Sequence, residues 1–278
     1  MSTLVALLLA GAALAPLHEV YRSARAYDRG SFAYRAPSAA RLAQVRELFT
    51  ALGRGLARGA PPPALVRQAR QAGFELIPGA DAAGELWIVR EAAARRGGDG
   101  LYALRPGGFP VCLQAPHTFF DEHTGDVALE LFRATGASCL CVNTVHRREV
   151  DVAHAEASVF LAATEGLVRG ARWPLVQLHG FDQKPQIPAG VAAIVSEGTR
   201  TPRLAARLQA LMAKDYGRVL LYPRDTRALG ATTNREGQCA RAAGVCFLHL
   251  EMSAALRKKV RQAPGPLATT LRTVLKPP

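Results

Sequence analysis

The chain of 278 residues has few acidic side chains and, after residue 15, no apolar run long enough for a stable membrane span. Asp and Glu number 22 against 35 Lys and Arg, which gives a net charge of +13. The excess is mostly arginine spread along the chain, as solvated helix faces would produce, although a basic field also favours an anionic partner. The sequence lacks a Cys/His finger, a basic heptad region and an RNP-type aromatic strand, so we predict no nucleic-acid partner.

Cysteine is also scarce, and the five cysteines are an odd number, so at least one thiol stays unpaired. Cys112, Cys139, Cys141 and Cys246 lie in apolar, strand-like runs, where cysteine usually behaves as a small hydrophobic residue. Cys239 could pair with Cys246 if the chain is exported. The spacing as a whole does not indicate a disulfide framework.

Residues 1–15 are uncharged and apolar and end in Ala13-Leu14-Ala15, which is similar to a signal-peptidase site. The stretch is short for a transmembrane helix, and it lacks the basic residues that usually open a signal peptide. We predict a signal peptide over 1–15 and a secreted or periplasmic protein. A buried N-terminal helix is the alternative, and a non-cleaved anchor is a third possibility.

The next part of the chain is predicted to be an N-terminal helical extension over residues 16–73. Residues 16–36 are mixed in character and are expected to be an irregular lead-in. Apolar residues at helical spacing predict a helix from Ser38 to about Leu56. Three prolines from Pro61 to Pro63 end it, and a second helix is predicted over 64–71.

The rest of the chain, residues 74–278, is predicted to be one catalytic α/β domain. Short strand-like runs separated by Gly and Pro indicate an antiparallel or mixed sheet edge; they lie at 74–78, 85–89, 101–104 and 111–115. Helical patterns then alternate with apolar runs, which favours a mostly parallel sheet. The helical patterns lie at 125–134, 154–168, 202–214 and 253–262, and the apolar runs at 138–142, 174–178, 191–195, 218–222 and 245–250.

Ligand-type side chains follow three of the apolar runs. His117 comes after the first run with Asp121 and Glu122 behind it, His179 closes the second run, and Glu251 closes the third. His and carboxylate side chains are zinc ligands, and a further carboxylate can move protons for an activated water. Open α/β sheets place their sites at strand ends. The pattern therefore suggests a zinc hydrolase.

Each of these side chains also has a simpler interpretation. His117 and Asp121 could belong to a turn whose Asp caps the following helix. His179 could be a core histidine bonded to a backbone carbonyl. Glu251 could cap the helix at 253–262 or pair with Arg257. The sequence alone leaves both interpretations open.

Polar residues in two other segments are candidates for binding a substrate. Asn143 and Arg147 follow the apolar run at 138–142, and such a pair can hold an anion through a guanidinium fork and an amide. A solvated basic loop is the commoner alternative. Asn234 lies in a Gly-bounded segment where it could orient substrate, although turn chemistry explains it as well.

Taken in order, these motifs resemble the zinc-carboxypeptidase-like superfamily, and they are most similar to its branch of N-formylglutamate amidohydrolases and poly-gamma-glutamate hydrolases. The matching order is Pro116-His117 with its carboxylate, Asn143 and Arg147, His179-Gly180, and Leu248 to Glu251 ahead of Leu256-Arg257. The likeness covers about residues 110–260. The usual His-x-x-Glu spacing is replaced by His117-x3-Asp121 or His117-x4-Glu122.

The resemblance implies a three-layer phosphorylase/hydrolase-like fold and a Zn2+ cofactor. It implies His117, Asp121 and His179 as zinc ligands, with Glu122 as the alternative to Asp121 and His123 as a competitor. It implies Glu251 as the proton shuttle. It also implies hydrolysis of an amide bond in a peptide-like or polyglutamate-like anionic substrate, whose carboxylate Asn143 and Arg147 would bind. The alternative is a non-catalytic α/β protein that binds an anionic polymer or cell-wall component.

Overall fold

A computed structural model describes residues 14–25, 34–93, 95, 97–183 and 185–276. Within these residues, ten strands form one mixed sheet. In chain order they are β1 (Ala15–Pro16), β2 (Phe74–Asp81), β3 (Gly84–Glu91), β4 (Leu101–Leu104), β5 (Phe109–Ala115), β6 (Ala137–Val142), β7 (Leu175–Phe181), β8 (Val191–Ser196), β9 (Arg218–Leu221) and β10 (Phe247–Ser253). Their order across the sheet is β1-β2-β3-β4-β6-β5-β7-β10-β8-β9.

The sheet combines an antiparallel edge with a parallel centre. Strands β2, β3 and β4 pair antiparallel, as the short Gly- and Pro-separated runs predict. Strands β6, β5, β7 and β10 then run parallel side by side. Five of the nine neighbouring pairs are parallel. The predicted α/β class with a mostly parallel mixed sheet is confirmed.

Helices cover both faces of the sheet and make the fold three-layered. They are α1 (Leu17–Arg25), α2 (Ala39–Gly55), α3 (Pro63–Gln71), α4 (Thr124–Thr135), α5 (Val159–Gly170), α6 (Leu204–Tyr216), α7 (Arg235–Ala242), α8 (Ala254–Gln262) and α9 (Gly265–Leu275). Helices α1, α4, α6, α8 and α9 contribute to one apolar core. Helices α2, α3, α5 and α7 contribute to the core on the opposite face.

Several local elements differ from the predictions. The expected irregular lead-in contains α1, because Leu17, Val20 and Tyr21 share one helical face and are buried against the sheet. Helix α5 begins at residue 159 and not at 154, because Ser158 caps it by accepting a hydrogen bond from the backbone N–H of Leu161. Helices α7 and α9 lie where no helix is predicted.

Two predictions concern the N-terminal part of the chain, the signal peptide and the boundary of the helical extension. Residues 1–13 of the predicted signal peptide lie outside the described residues, so the signal peptide stays a prediction. Helix α2 packs along α5, and the predicted division at residues 73 and 74 also stays a prediction. Among the described residues, no helix combines the length and hydropathy needed to cross a membrane.

The cysteines are free thiols. Cys112, Cys139 and Cys141 are buried in the strands, as expected of small hydrophobic residues. Cys246 is exposed and is not bonded to Cys239, which corrects the expected burial of Cys246 and leaves the optional disulfide unformed.

Candidate metal centre

The carboxyl ends of three adjacent parallel strands bring the candidate residues together. In the register of β7 and β10, His179 lies beside Glu251. His117 follows the end of β5, which pairs with the other side of β7. Polar side chains on β7 and β10 alternate with buried leucines, so the polar side chains share one face of the sheet. The folding of these strands therefore assembles one polar cluster from distant parts of the chain.

A helical turn after β5 returns Asp121 to His117. The backbone N–H of Asp121 donates to the carbonyl of His117 at 2.9 Å, and the N–H of Phe120 donates to the same carbonyl at 2.9 Å. Residues i and i+4 of such a turn lie on the same side. The spacing His117-x3-Asp121 therefore places the imidazole and the carboxylate next to each other.

Three ligand atoms form a nearly equilateral triangle. Nδ1 of His117 lies 3.1 Å from Nδ1 of His179, and Oδ2 of Asp121 lies 3.4 Å from the first nitrogen and 3.5 Å from the second. Tetrahedral zinc with bonds of about 2.0–2.1 Å places its ligand atoms about 3.3 Å apart. The side chains fit one zinc ion without rearrangement, and their ring centroids are only 4.7 Å apart.

The outer nitrogen of each imidazole has a hydrogen-bond acceptor. Nε2 of His117 lies 2.9 Å from Oδ1 of Asp151, and Nε2 of His179 lies 2.9 Å from Oε1 of Gln177. When both imidazoles are neutral, each outer nitrogen carries the proton, which leaves each Nδ1 with a lone pair directed into the triangle. Metal-ligating histidines are usually oriented by such partners.

The carboxamide of Gln177 has a single orientation because all four of its hydrogen-bonding positions are used. Its Oε1 faces His179 and also accepts from Nδ2 of Asn234 at 2.5 Å. Its Nε2 donates to Oε1 of Gln114 at 3.2 Å and to Oε2 of Glu236 at 3.4 Å. A rotated amide would place N–H against N–H, so this network fixes the tautomer of His179.

The surroundings of the triangle favour the metal-binding forms of His179 and Asp121, whereas they favour the protonated form of His117. Burial, helped by the neighbouring His117, lowers the pKa of His179 to about 4. Burial opposes ionisation of Asp121, but hydrogen bonds and charge from His117 and His179 in their protonated forms outweigh it and hold the pKa of Asp121 well below its usual range. For His117, hydrogen bonds to Asp121 and Asp151 outweigh the effect of burial and raise the pKa.

We expect Gln177→Met to weaken zinc binding by about 10–100-fold, because an acceptor that orients a ligating histidine contributes to affinity on that scale. Methionine has a similar length but cannot accept the proton of His179 strongly. Titration with a chromogenic chelator would measure the affinity. Gln209→Met on α6 is the matched control, since Gln209 bonds only a backbone carbonyl away from the triangle. Equal affinities in both variants would contradict a role for Gln177.

A cavity of about 630 Å3 opens above the triangle. It is lined by His117, Asp121 and His179, and by Glu251 and His249 from β10. Glu251 is only 6% exposed, and it offers an oxygen within 4.8 Å of a ring nitrogen of His179. The cavity thus joins a metal-ligand triangle to a second buried carboxylate.

The other two candidates for the metal do not join the group of His117, Asp121 and His179. Glu122 lines the cavity, but its side chain is 74% exposed and lies 3.4 Å from the ring of His123. His123 itself faces Asp126 and Arg261. Of the alternatives left open by the sequence, the geometry favours Asp121.

The three candidate substrate-binding residues differ in their surroundings. Arg147 lines the cavity, forms an ion pair with Asp151 and lies over the ring of Phe120. Asn143 is buried and its amide is used within the chain, donating to the carbonyls of Pro116 and Val145. Asn234 borders the cavity, caps α7 and donates to Gln177.

Several residues of the site are not among the predictions. Asp151 and Gln177 orient the two imidazoles, and the ring of His249 lies 4.5 Å from that of His179. Glu236 is fully buried beside Gln177, and burial raises its pKa to about 7. Of these, only Gln177 has a local signal, since it precedes His179 by two residues in a strand and must share its face.

Comparisons with known proteins give only distant likenesses. No protein-family profile matches the chain, and no curated protein matches it significantly. A zinc-free apo structure of YNDL is similar at 16% identity with a TM-score of 0.42, covering 64% of this chain and 90% of that one.

Two further solved structures are similar at the level of fold. A candidate metallopeptidase from Shewanella amazonensis shares 11% identity with a TM-score of 0.43, covering 76% of this chain and 90% of that one. A metallo-carboxypeptidase from Burkholderia cenocepacia shares 10% identity with a TM-score of 0.43, covering 76% and 67%. These likenesses do not single out a branch.

Proposed function

We propose that the chain is a zinc-dependent hydrolase that cleaves an amide bond in a peptide-like substrate bearing a carboxylate. The observation that carries the proposal is the triangle of His117, Asp121 and His179, whose edges of 3.1–3.5 Å suit one tetrahedral metal ion. Two imidazoles and one carboxylate are a donor set of catalytic zinc sites, in which the fourth position stays open. The cavity gives access to that position.

Zinc bound in such a site supplies a nucleophilic water at neutral pH and polarises the carbonyl that the water attacks. The protein supplies the rest of the chemistry. Glu251 is placed to take a proton from the attacking water and to deliver it to the leaving nitrogen. Its carboxylate oxygen lies within 4.8 Å of a ring nitrogen of His179, a span that one water molecule can bridge.

Three arginines that line the cavity, Arg147, Arg227 and Arg257, offer positions for an anionic group of the substrate. Four carboxylates line the cavity as well, those of Asp121, Glu122, Asp182 and Glu251. Arg147 retains the proposed role of holding a carboxylate at the rim, with one third of its side chain exposed. In this proposal Asn143 does not contact substrate. It stabilises the loop before Arg147 by donating to the carbonyls of Pro116 and Val145. Asn234 acts through Gln177. A polyglutamate-like substrate is part of this proposal, and an anionic polymer bound without catalysis is its alternative.

Export is also part of the proposal. It is supported by the uncharged, apolar sequence of residues 1–15 and by their ending in Ala13-Leu14-Ala15. A secreted or periplasmic enzyme would meet peptide-like polymers outside the cytoplasm.

The proposed activity is tested by hydrolysis assays on N-formyl-L-glutamate, poly-γ-glutamate and small N-acyl amino acids, followed by the release of free amine. We expect turnover of at least one carboxylate-bearing amide, loss of turnover after treatment with a chelator, and recovery when Zn2+ is added. Binding of the polymer without stoichiometric metal and without amine release would instead support the non-catalytic binding protein.

A further inference from the structure

The cavity contains a buried guanidinium to which the proposed chemistry gives no individual role. Arg257 lies on α8, is 3% exposed and lines the cavity. An arginine so deeply buried on a short surface helix is unusual, since arginine is almost never fully buried unless it is paired.

Within the described residues, Arg257 lacks a counter-charge. Its Nη1 donates to the carbonyl of Met252 at 2.6 Å, and its Nε has no hydrogen-bond partner there. The described carboxylates, including that of Glu251, form no ion pair with it. Burying a cation without an anionic partner is costly, and the cost falls when an anion occupies the open position. Nε is enclosed by protein atoms, so Nη2 is the donor that remains for a ligand, and an anion bound there also neutralises the buried charge next to Nε.

Gly180 makes room for this guanidinium next to the metal-ligand triangle. A Cβ atom built on Gly180 would lie 2.3 Å from Nη1 and 2.6 Å from Cζ of Arg257. Gly180 directly follows His179, and its backbone N–H donates to Oδ2 of Asp121 at 2.9 Å. The guanidinium is thus held against the end of β7, which carries His179 and whose Gly180 N–H also holds Asp121.

We propose that Arg257, whose guanidinium packs over Gly180, forms a binding subsite for an anionic group of the substrate, deeper in the cavity than Arg147. A guanidinium fork suits a carboxylate or a phosphate group. The proposal rests on the proposed function in one respect: the anion belongs to the molecule whose amide bond reaches the triangle. Arg257 is thereby a specificity-determining residue, distinct from the groups that hold the metal or move protons.

Calorimetric binding of glutarate, its neutral diamide glutaramide, and inorganic phosphate to the purified protein tests this subsite. We expect glutarate or phosphate to bind and glutaramide to bind more weakly, and the preference between the two anions identifies the group. Arg257→Gln should weaken anion binding by at least about tenfold, because it removes one partner of a buried charge pair. Arg261→Gln removes the same charge one turn along α8, where the side chain faces Asp126, and should bind like the wild type.

A second measurement keeps the test valid if Arg257→Gln does not fold. In the wild-type protein, the 1H–15N signal of the Arg257 Nε–H should move when glutarate or phosphate is added. Gly180→Ala should reduce anion binding while keeping the charge, since the new Cβ displaces the guanidinium. An Nε–H signal that responds to neither anion, or Arg257→Gln with wild-type affinity, would overturn the subsite.

These outcomes separate the subsite from the proposed function. Arg257-dependent binding without hydrolysis of any amide would refute the enzyme and leave the subsite intact. Hydrolysis with an unchanged KM in Arg257→Gln would refute the subsite and leave the enzyme intact.

Discussion

Replacing His179 with alanine should reduce the zinc content from about one ion per chain to almost none. The variant keeps only His117 and Asp121, and two ligands do not hold zinc against dilution, since protein zinc sites use three or four. The strand should still form, because β7 is paired on both sides by β5 and β10. Elemental analysis after gel filtration measures the metal, and circular dichroism checks the fold.

Matched variants make this result specific. His123→Ala removes an imidazole that faces Asp126, so it should retain its zinc. Asp121→Asn should weaken zinc binding, whereas Glu122→Gln should not, because the side chain of Glu122 is 74% exposed. A His179→Ala protein that keeps one zinc ion per chain would show that His179 is not a metal ligand. If Glu122→Gln weakened zinc binding and Asp121→Asn did not, the third ligand would be Glu122.

Replacing Glu251 with glutamine should lower kcat by about 10²–10⁴-fold, the usual contribution of a positioned general acid or base. The variant should keep its zinc, since Glu251 lies outside the triangle. Glutamine has the same shape but cannot carry the proton from water to the leaving nitrogen. Steady-state amine release measures kcat on whichever amide the wild-type protein hydrolyses.

The control for this prediction is Glu130→Gln, which removes a carboxylate from the surface of α4, where it pairs with Arg133. It should leave both metal content and kcat unchanged. An active Glu251→Gln enzyme would assign proton transfer to another group, and His249 is the nearest candidate, with its Nε2 3.6 Å from Oε1 of Glu251.

The sequence predicts that His117, His179 and Glu251 come together, because each position can be read from the residues next to it. His117, His179 and Glu251 each close an apolar run, and parallel strands deliver their carboxyl ends to the same edge. The choice between Asp121 and Glu122 is also local, since a helical turn returns residue i+4 and not residue i+5 to His117. Both features depend only on neighbouring residues.

The supporting residues could not be predicted because they depend on which strands become neighbours. Gln114 reaches Gln177 only because β5 lies beside β7, and the register is a property of the whole sheet. Asp151 reaches His117 through an irregular loop. Arg257 resembles an ordinary helix-surface arginine in the sequence, and only the packing of α8 over Gly180 buries it.

The claim that three side chains hold one zinc ion is tested most directly by anomalous X-ray scattering from crystals of the zinc-loaded protein. We predict a single peak about 2.0–2.1 Å from Nδ1 of His117, Nδ1 of His179 and Oδ2 of Asp121. A peak at other side chains, or no peak in the zinc-loaded protein, would contradict the account.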